Sequence, residues 1–186
     1  MTGLLGHLFR TLAGDRPAPA RGGPEFTVVD LAISDLPTSF EGYRIVVLAD
    51  LHHRPRGDPT WLHHVVDVVN AAGPDLIALL GDYGESFKHA PALSRRWYRH
   101  ALAKLTPILT RLRSRDGMVA VLGNHDYYAD SRAVCDWLSE LGAEVLLNRV
   151  HFISRDGALL RVAGMDDVHE GRRDPLVGCD ATKSVV

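Results

Sequence analysis

Three short polar clusters in this chain each follow an apolar run. They are Asp50-Leu51-His52 after residues 45–49, Gly81-Asp82 after 76–80, and Gly123-Asn124-His125-Asp126 after 118–122. Carboxylate, imidazole and amide groups are the donors that divalent metals of hard to borderline character take. Apolar runs of this length read as buried strands, and parallel strands of an open α/β sheet end on one common crevice. Residues far apart in sequence then converge there, so the arrangement points to a metal site. Any one cluster alone reads as a turn, because Asp and Asn are common turn formers. All three in order, each behind an apolar run, make the metal reading much the stronger.

The order Asp-x-His, Gly-Asp, Gly-Asn-His-Asp resembles the calcineurin-like metallophosphoesterase superfamily over residues 26–174, and Tyr127-Tyr128 is similar to its bacterial membrane-associated phosphohydrolase branch. The resemblance implies a metallophosphoesterase-like β-sandwich flanked by helices (α/β/β/α) and the hydrolysis of phosphomonoesters or phosphodiesters by metal-activated water. Asp50, His52, Asp82 and Asn124 would be metal ligands, with Asp82 as the carboxylate shared between two divalent ions (Mn, Fe or Zn). In two-metal phosphoesterases such a pair, about 3.5–4 Å apart, activates water and neutralises phosphoryl charge. His125 would be the proton donor to the leaving oxygen, with Asp126 holding its imidazole in orientation. Family members carry a further His at a strand end and then Gly-His-x-His. Neither follows the segment 162–167 here, where His169 is the only later histidine and stands outside such a motif. The expected form is therefore C-terminally incomplete, without the last strands and with a second metal site short of donors. Two outcomes stay open: an active phosphoesterase, or a non-catalytic fragment that binds metal weakly or binds a partner.

The elements that must position these residues follow from the rest of the sequence. A chain of 186 residues, 46% of them hydrophobic, suits one domain with a sizeable core. Its formal net charge of −2 gives no global attraction to nucleic acid. Cys135 and Cys179 fit a reducing compartment and no disulfide framework. The expected location is cytoplasmic, the expected substrate a small phosphate ester or a lipid precursor. Leu4, Leu5, Leu8, Phe9 and Leu12 have helical spacing but fall far short of a membrane span. They leave open a weak contact with the inner-membrane surface, as the unfinished second sheet leaves open self-association. Residues 1–24 read as this amphipathic stretch and a Pro/Gly/Arg-rich linker, 25–174 as the partial metallophosphoesterase-like domain, and 175–186 as an unrelated or disordered tail.

Within the domain, residues 26–33 suggest a first strand, and Asp58-Pro59 a helix start for an apolar face of Leu62, Val65, Val66 and Val69 ending at Gly73. On that helix one of His63 and His64 should be partly buried and the other exposed, since neighbours do not share a face. His53 could line the mouth of the site. Leu93, Trp97, Ala101, Leu105, Ile108 and Leu112 form a helical stripe that Pro107 should kink or split. Arg95, Arg96 and Arg99 beside Trp97 read as a solvated face. Asp130 or Ser131 should cap the next helix, and short strands should follow at 145–147, 150–153 and 159–163, the last two as a hairpin opening a second sheet.

Overall fold

The structure is a computed structural model that describes residues 26–54 and 56–172. The N-terminal amphipathic stretch, its linker and the tail expected at 175–186 lie outside the described residues. The chain divides into two units, residues 1–36 and 37–186. In the first, residues 26–33 form no strand, and a turn follows at Ser34 and Asp35. An apolar run becomes a strand only where a neighbour takes up its backbone groups, which composition alone does not secure.

The second unit is mixed α/β. Four strands, β1 (Ile45–Leu48), β2 (Leu76–Leu79), β3 (Met118–Ala120) and β4 (Ala143–Val145), pair side by side in that order, all parallel. The expected strand at 145–147 is shifted two residues back and completes this sheet. All four residues of β2 are buried, as the near-continuous apolar runs of parallel strands require. Helix α1 (Thr60–Ala72) joins β1 to β2, and α2 (Pro91–Leu109) joins β2 to β3. A short α3 (Asn124–Ala129) and then α4 (Ser131–Glu140) connect β3 to β4. Their apolar faces form one core with the sheet, in which Tyr83 donates its hydroxyl to the Val121 carbonyl (3.0 Å) and packs edge-on against Trp137.

The local signals work as physical chemistry dictates, with three corrections besides a shifted start of α1. Asp58 accepts the Thr60 N–H at 2.9 Å in the turn before α1, but the helix starts at Thr60 with Pro59, not Asp58, in the N-cap position. Asp130 caps α4 by accepting the Ala133 N–H at 3.1 Å. First, His63 and His64 are both exposed, because Leu62, Val65, Val66 and Val69 occupy the whole buried face. Second, α2 runs unbroken through Pro107, which lies in its last turn and leaves the Ala103 carbonyl without its helical N–H partner. Third, the buried stripe at the start of α2 is rotated: Ser94 and Tyr98 are buried, while Leu93 is exposed and Trp97 half-buried. The two polar residues face inward because each has a bonding task there. Ser94 Oγ accepts the Phe87 N–H (2.7 Å) and donates to the Phe87 carbonyl (2.9 Å), and Tyr98 donates to Asp126.

Strands β5 (Arg149–Arg155) and β6 (Ala158–Gly164) form the expected hairpin, a second, antiparallel sheet. Asp156 and Gly157 both have positive φ, +50° and +78°, which suits a two-residue turn of the primed type. Arg155 ties this hairpin to the first sheet. Its guanidinium bonds Asp75 (3.1 Å) just before β2 and Asp116 (2.7 Å) just before β3, and lies over the rings of Phe40 and Tyr43. Burial pushes the Asp75 carboxyl up, but the Arg44 N–H and the guanidiniums of Arg155 and Arg115 outweigh it and hold the group below the ordinary carboxylate range. No helix among the described residues is long and apolar enough to cross a membrane.

Candidate metal centre

The carboxyl ends of β1, β2 and β3 deliver the polar clusters to one place. Asp50, His52 and Asp82 all adopt positive φ, at +53°, +39° and +55°. Such backbone costs about 1–3 kcal/mol per non-glycine residue and persists where the surroundings impose it, typically at functional sites. Here the imposition is a continuing backbone pairing past the strand ends: Asp50 N–H donates to the Gly81 carbonyl, His52 N–H to Asp82, and His53 N–H to Tyr83. The chain thus turns sharply while its backbone groups stay satisfied.

His52 Nε2 lies 3.5 Å from an Asp50 oxygen and 3.7 Å from Asp82 Oδ2. Ligand atoms of His52, Asp82 and His125 all fall within 4.8 Å of one another. Asp82 is nearly buried, and its other oxygen, Oδ1, accepts the His125 backbone N–H at 2.9 Å, which leaves Oδ2 turned toward His52. Two glycines make this approach possible. Gly81 has φ +90°, and a Cβ there would strike the Gly123 backbone; a Cβ at Gly123 would strike Asp82 Oδ1. One imidazole and two carboxylates at these separations form a donor set that fits a divalent cation. Asn124 opens α3 directly before His125, and its side-chain amide makes no hydrogen bond with another described residue.

His125 presents its ring edge-on to His52, with centroids 4.6 Å apart. The Ser86 backbone N–H donates to His125 Nδ1 at 3.1 Å. A backbone N–H can only donate, so Nδ1 is the acceptor and the proton of the neutral ring sits on Nε2. The Ser86 hydroxyl donates to the His125 carbonyl at 2.7 Å, and a Glu85 oxygen lies 3.4 Å from Nδ1. Glu85 is also 3.6 Å from the Arg54 guanidinium.

Asp126 does something other than hold that imidazole. It is completely buried and gathers four donors: the N–H of Gly123 (2.7 Å), of Asp82 (3.0 Å) and of Tyr83 (3.4 Å), and the Tyr98 hydroxyl. As the third residue of α3 it reaches back to the residue before the helix, one half of a capping box. Its carboxylate locks the Gly81–Asp82 turn to the Gly123 turn. Burial pushes its carboxyl up to about 7, against the pull of those backbone N–H groups and with a further push from Asp82. His53 also departs from expectation. It is buried, and its Nε2 meets no hydrogen-bond partner among the described residues. Burial and the charge of Lys104 lower its pKa, so the ring is neutral.

Of the residues expected at the site, the structure brings Asp50, His52, Asp82 and His125 close together, shows no such contact for the Asn124 side chain among the described residues, and adds Glu85 and Ser86, which the sequence reading did not single out. The signal available for both was their place three and four residues after Asp82, on the same strand-end loop.

Comparison with known proteins gives a consistent result. Residues 43–174 match the profile of the calcineurin-like phosphoesterase family. Over 168 residues the chain is 32% identical to a transmembrane protein with metallophosphoesterase domain from Danio rerio, an alignment covering 87% of this chain and 36% of that protein. Its counterpart in Bos taurus is 34% identical over 154 residues, covering 78% and 32%. The uncharacterized metallophosphoesterase YkuE of Bacillus subtilis (strain 168) is 29% identical over 152 residues, covering 81% and 50%. The chain thus spans about a third to a half of the length of these relatives.

Proposed function

From the premise that the chain belongs to the calcineurin-like phosphoesterase family, we propose that it hydrolyses phosphomonoesters or phosphodiesters at the crevice formed by the ends of β1, β2 and β3. The observation that carries this reading is the convergence of His52, Asp82 and His125 within 4.8 Å at the carboxyl ends of parallel strands. Asp50, His52 and Asp82 would hold the metal, and Asn124 offers an amide oxygen for a second ion. A divalent cation bound there supplies positive charge for the phosphoryl oxygens and acidifies a bound water.

The residues of the chain supply orientation and the proton. Asp82 is fixed by the His125 N–H on one oxygen, so its free oxygen needs no reorganisation to bind. His125, kept in its Nε2–H form by Ser86, presents a proton toward the crevice for the leaving oxygen. Lys88, paired with Glu170 at 2.5 Å, lies 5.5 Å from the centroid of the Tyr128 ring, which is itself 5.7 Å from the His125 ring. The ions of this proposal are Mn, Fe or Zn, and the second of two would find fewer donors than the first. The substrate is a small phosphate ester or a lipid precursor, met in the cytoplasm or at the membrane surface.

A second reading, a chain that binds metal or a partner without turnover, is favoured by one observation: the described residues set few donors around the crevice, fewer than two cations need. One experiment separates the two. The full chain is assayed with Mn²⁺ on p-nitrophenyl phosphate and bis(p-nitrophenyl) phosphate, beside Asp82→Asn. Metal-dependent hydrolysis that Asp82→Asn abolishes supports the proposal; no hydrolysis of either ester, with metal bound, selects the second reading.

A further inference from the structure

Helix α2 carries Arg95, Arg96, Arg99 and Lys104 and no Asp or Glu across its 19 residues, in a chain whose formal net charge is −2. An open cleft of about 410 Å³ lies against it, lined by Arg56 from the loop after β1 and by Arg96, Trp97 and His100. Arg96 and His100 are one turn apart and so share a helix face. Four arginines are paired with carboxylates: Arg54 with Glu85, Arg111 with Asp67, Arg115 with Asp75, and Arg155 with Asp75 and Asp116. No described carboxylate pairs with Arg56 or Arg96, the two guanidiniums that share the cleft.

We propose that this cleft is an anion-binding subsite for a phosphate group, with Arg56 and Arg96 as the binding guanidiniums, His100 as a third donor and the Trp97 indole as an apolar wall. Two like charges lining one cleft repel, and an anion between them relieves that repulsion while accepting their fork-shaped hydrogen bonds. Trp97 is held in place by Phe87, edge-on with centroids 5.4 Å apart. The volume lies within the range of small-molecule pockets, about 300–1,000 Å³.

Two short segments of chain link the cleft to the residues of the metal centre. Arg56 follows His52 by four residues, and Phe87 stands two residues beyond Glu85, which touches both Arg54 and His125. The proposal rests on the phosphoesterase reading only for its consequence, that the substrate bears a second phosphate besides the one hydrolysed. The site would then discriminate among esters by what the leaving group carries.

The test uses the full chain with the Asp82→Asn change, in EDTA, so that the metal centre contributes neither cation nor turnover. Pyrophosphate and inorganic phosphate are titrated by calorimetry, and vesicles of phosphatidylglycerol or phosphatidylcholine by co-sedimentation. We expect saturable binding of pyrophosphate, weakened about tenfold by Arg56→Ala or by Arg96→Ala, the lower end of what a charged hydrogen bond contributes, and unaffected by Arg111→Ala. Binding of the soluble anions identifies a soluble phosphate as the source; Arg96-dependent binding of phosphatidylglycerol vesicles alone identifies a lipid headgroup. No binding of either, or binding unchanged in the Arg56→Ala, Arg96→Ala double variant, overturns the subsite. Circular dichroism checks that these exposed substitutions leave the fold intact. Because Asp82 takes no part in the cleft, failure of the hydrolytic reading would leave this result standing.

Discussion

Replacing Asp126 tests how the turns of the metal centre are held together. Asp126→Ala removes the common acceptor of the Asp82, Gly123 and Tyr83 N–H groups and the Tyr98 hydroxyl. A buried donor left without a partner costs about 1–3 kcal/mol. The Tyr83 bond is long and adds little, and water can reach the part-buried Gly123 N–H. Asp82 and Tyr98 alone still set a loss of about 2 kcal/mol as the lower bound, at about 1 kcal/mol each. Asp126→Asn should behave differently. With its amide oxygen in the Oδ2 position it keeps the bonds from Asp82 and Gly123, and its NH₂ can donate to the Tyr98 hydroxyl, which reverses its role. The expected cost is at most about 1 kcal/mol, from the Tyr83 N–H alone. Urea denaturation in EDTA at pH 4, where the proton difference between folded and unfolded chain at this position has little effect on stability, measures both. A loss below about 1 kcal/mol for the alanine variant, or equal losses for the two, would refute the reasoning. The same group gives a pH signature. Its carboxyl sits at about 7 in the fold against 3.8 ordinarily, so between those values the folded chain holds a proton that the unfolded chain releases. Stability of the metal-free protein should fall as pH rises from about 4 to 7 and level off above, and the asparagine variant should lack that slope.

Three further outcomes are expected. His125→Ala should lower any Mn²⁺-dependent turnover by about 10²–10⁴, the usual contribution of a general acid, while metal content by elemental analysis stays close to wild type; equal loss of metal and rate would make His125 a ligand. Gly123→Ala places a methyl group against Asp82 Oδ1, so it should reduce metal content measured by the same method, and an unchanged content would contradict the close packing of the two turns. The Asp75 carboxyl, held low, stabilises the fold above the ordinary carboxylate pKa of about 3.9 and loses that contribution as pH falls through its lower folded value. Arg155→Ala should therefore flatten the acid limb of the stability profile, and an unchanged limb would show that the pairing of the hairpin with Asp75 contributes nothing.

The catalytic-looking half of this molecule was readable because buried parallel strands leave a plain trace. Residues 45–48, 76–79 and 118–120 are apolar runs, and the polar residues after them mark the crevice. The Asp156-Gly157 turn gave the hairpin for the same kind of reason, a local backbone demand that few residue types meet. What stayed hidden depends on tertiary partners. Helix α3 spans only six residues, too few to show a period, and its sequence is the third polar cluster itself. Ser94 and Tyr98 took buried positions from Leu93 and Trp97 because Phe87 and Asp126 were there to bond them. Asp126 looked like a partner for His125, its neighbour in sequence, whereas the backbone of Asp82 and Gly123 claims its carboxylate and Ser86 claims the imidazole. Residues 26–33 have the composition of a strand, but composition does not supply a pairing partner.

The most direct test of the metal centre is a crystal of the full chain grown with Mn²⁺ and measured for anomalous scattering at the manganese edge. The account predicts a peak at the carboxyl ends of β1, β2 and β3, within about 2.0–2.3 Å of Asp82 Oδ2 and His52 Nε2, with Asp50 drawn into the same shell. A peak coordinated elsewhere, or none in that crevice at saturating Mn²⁺, would contradict it.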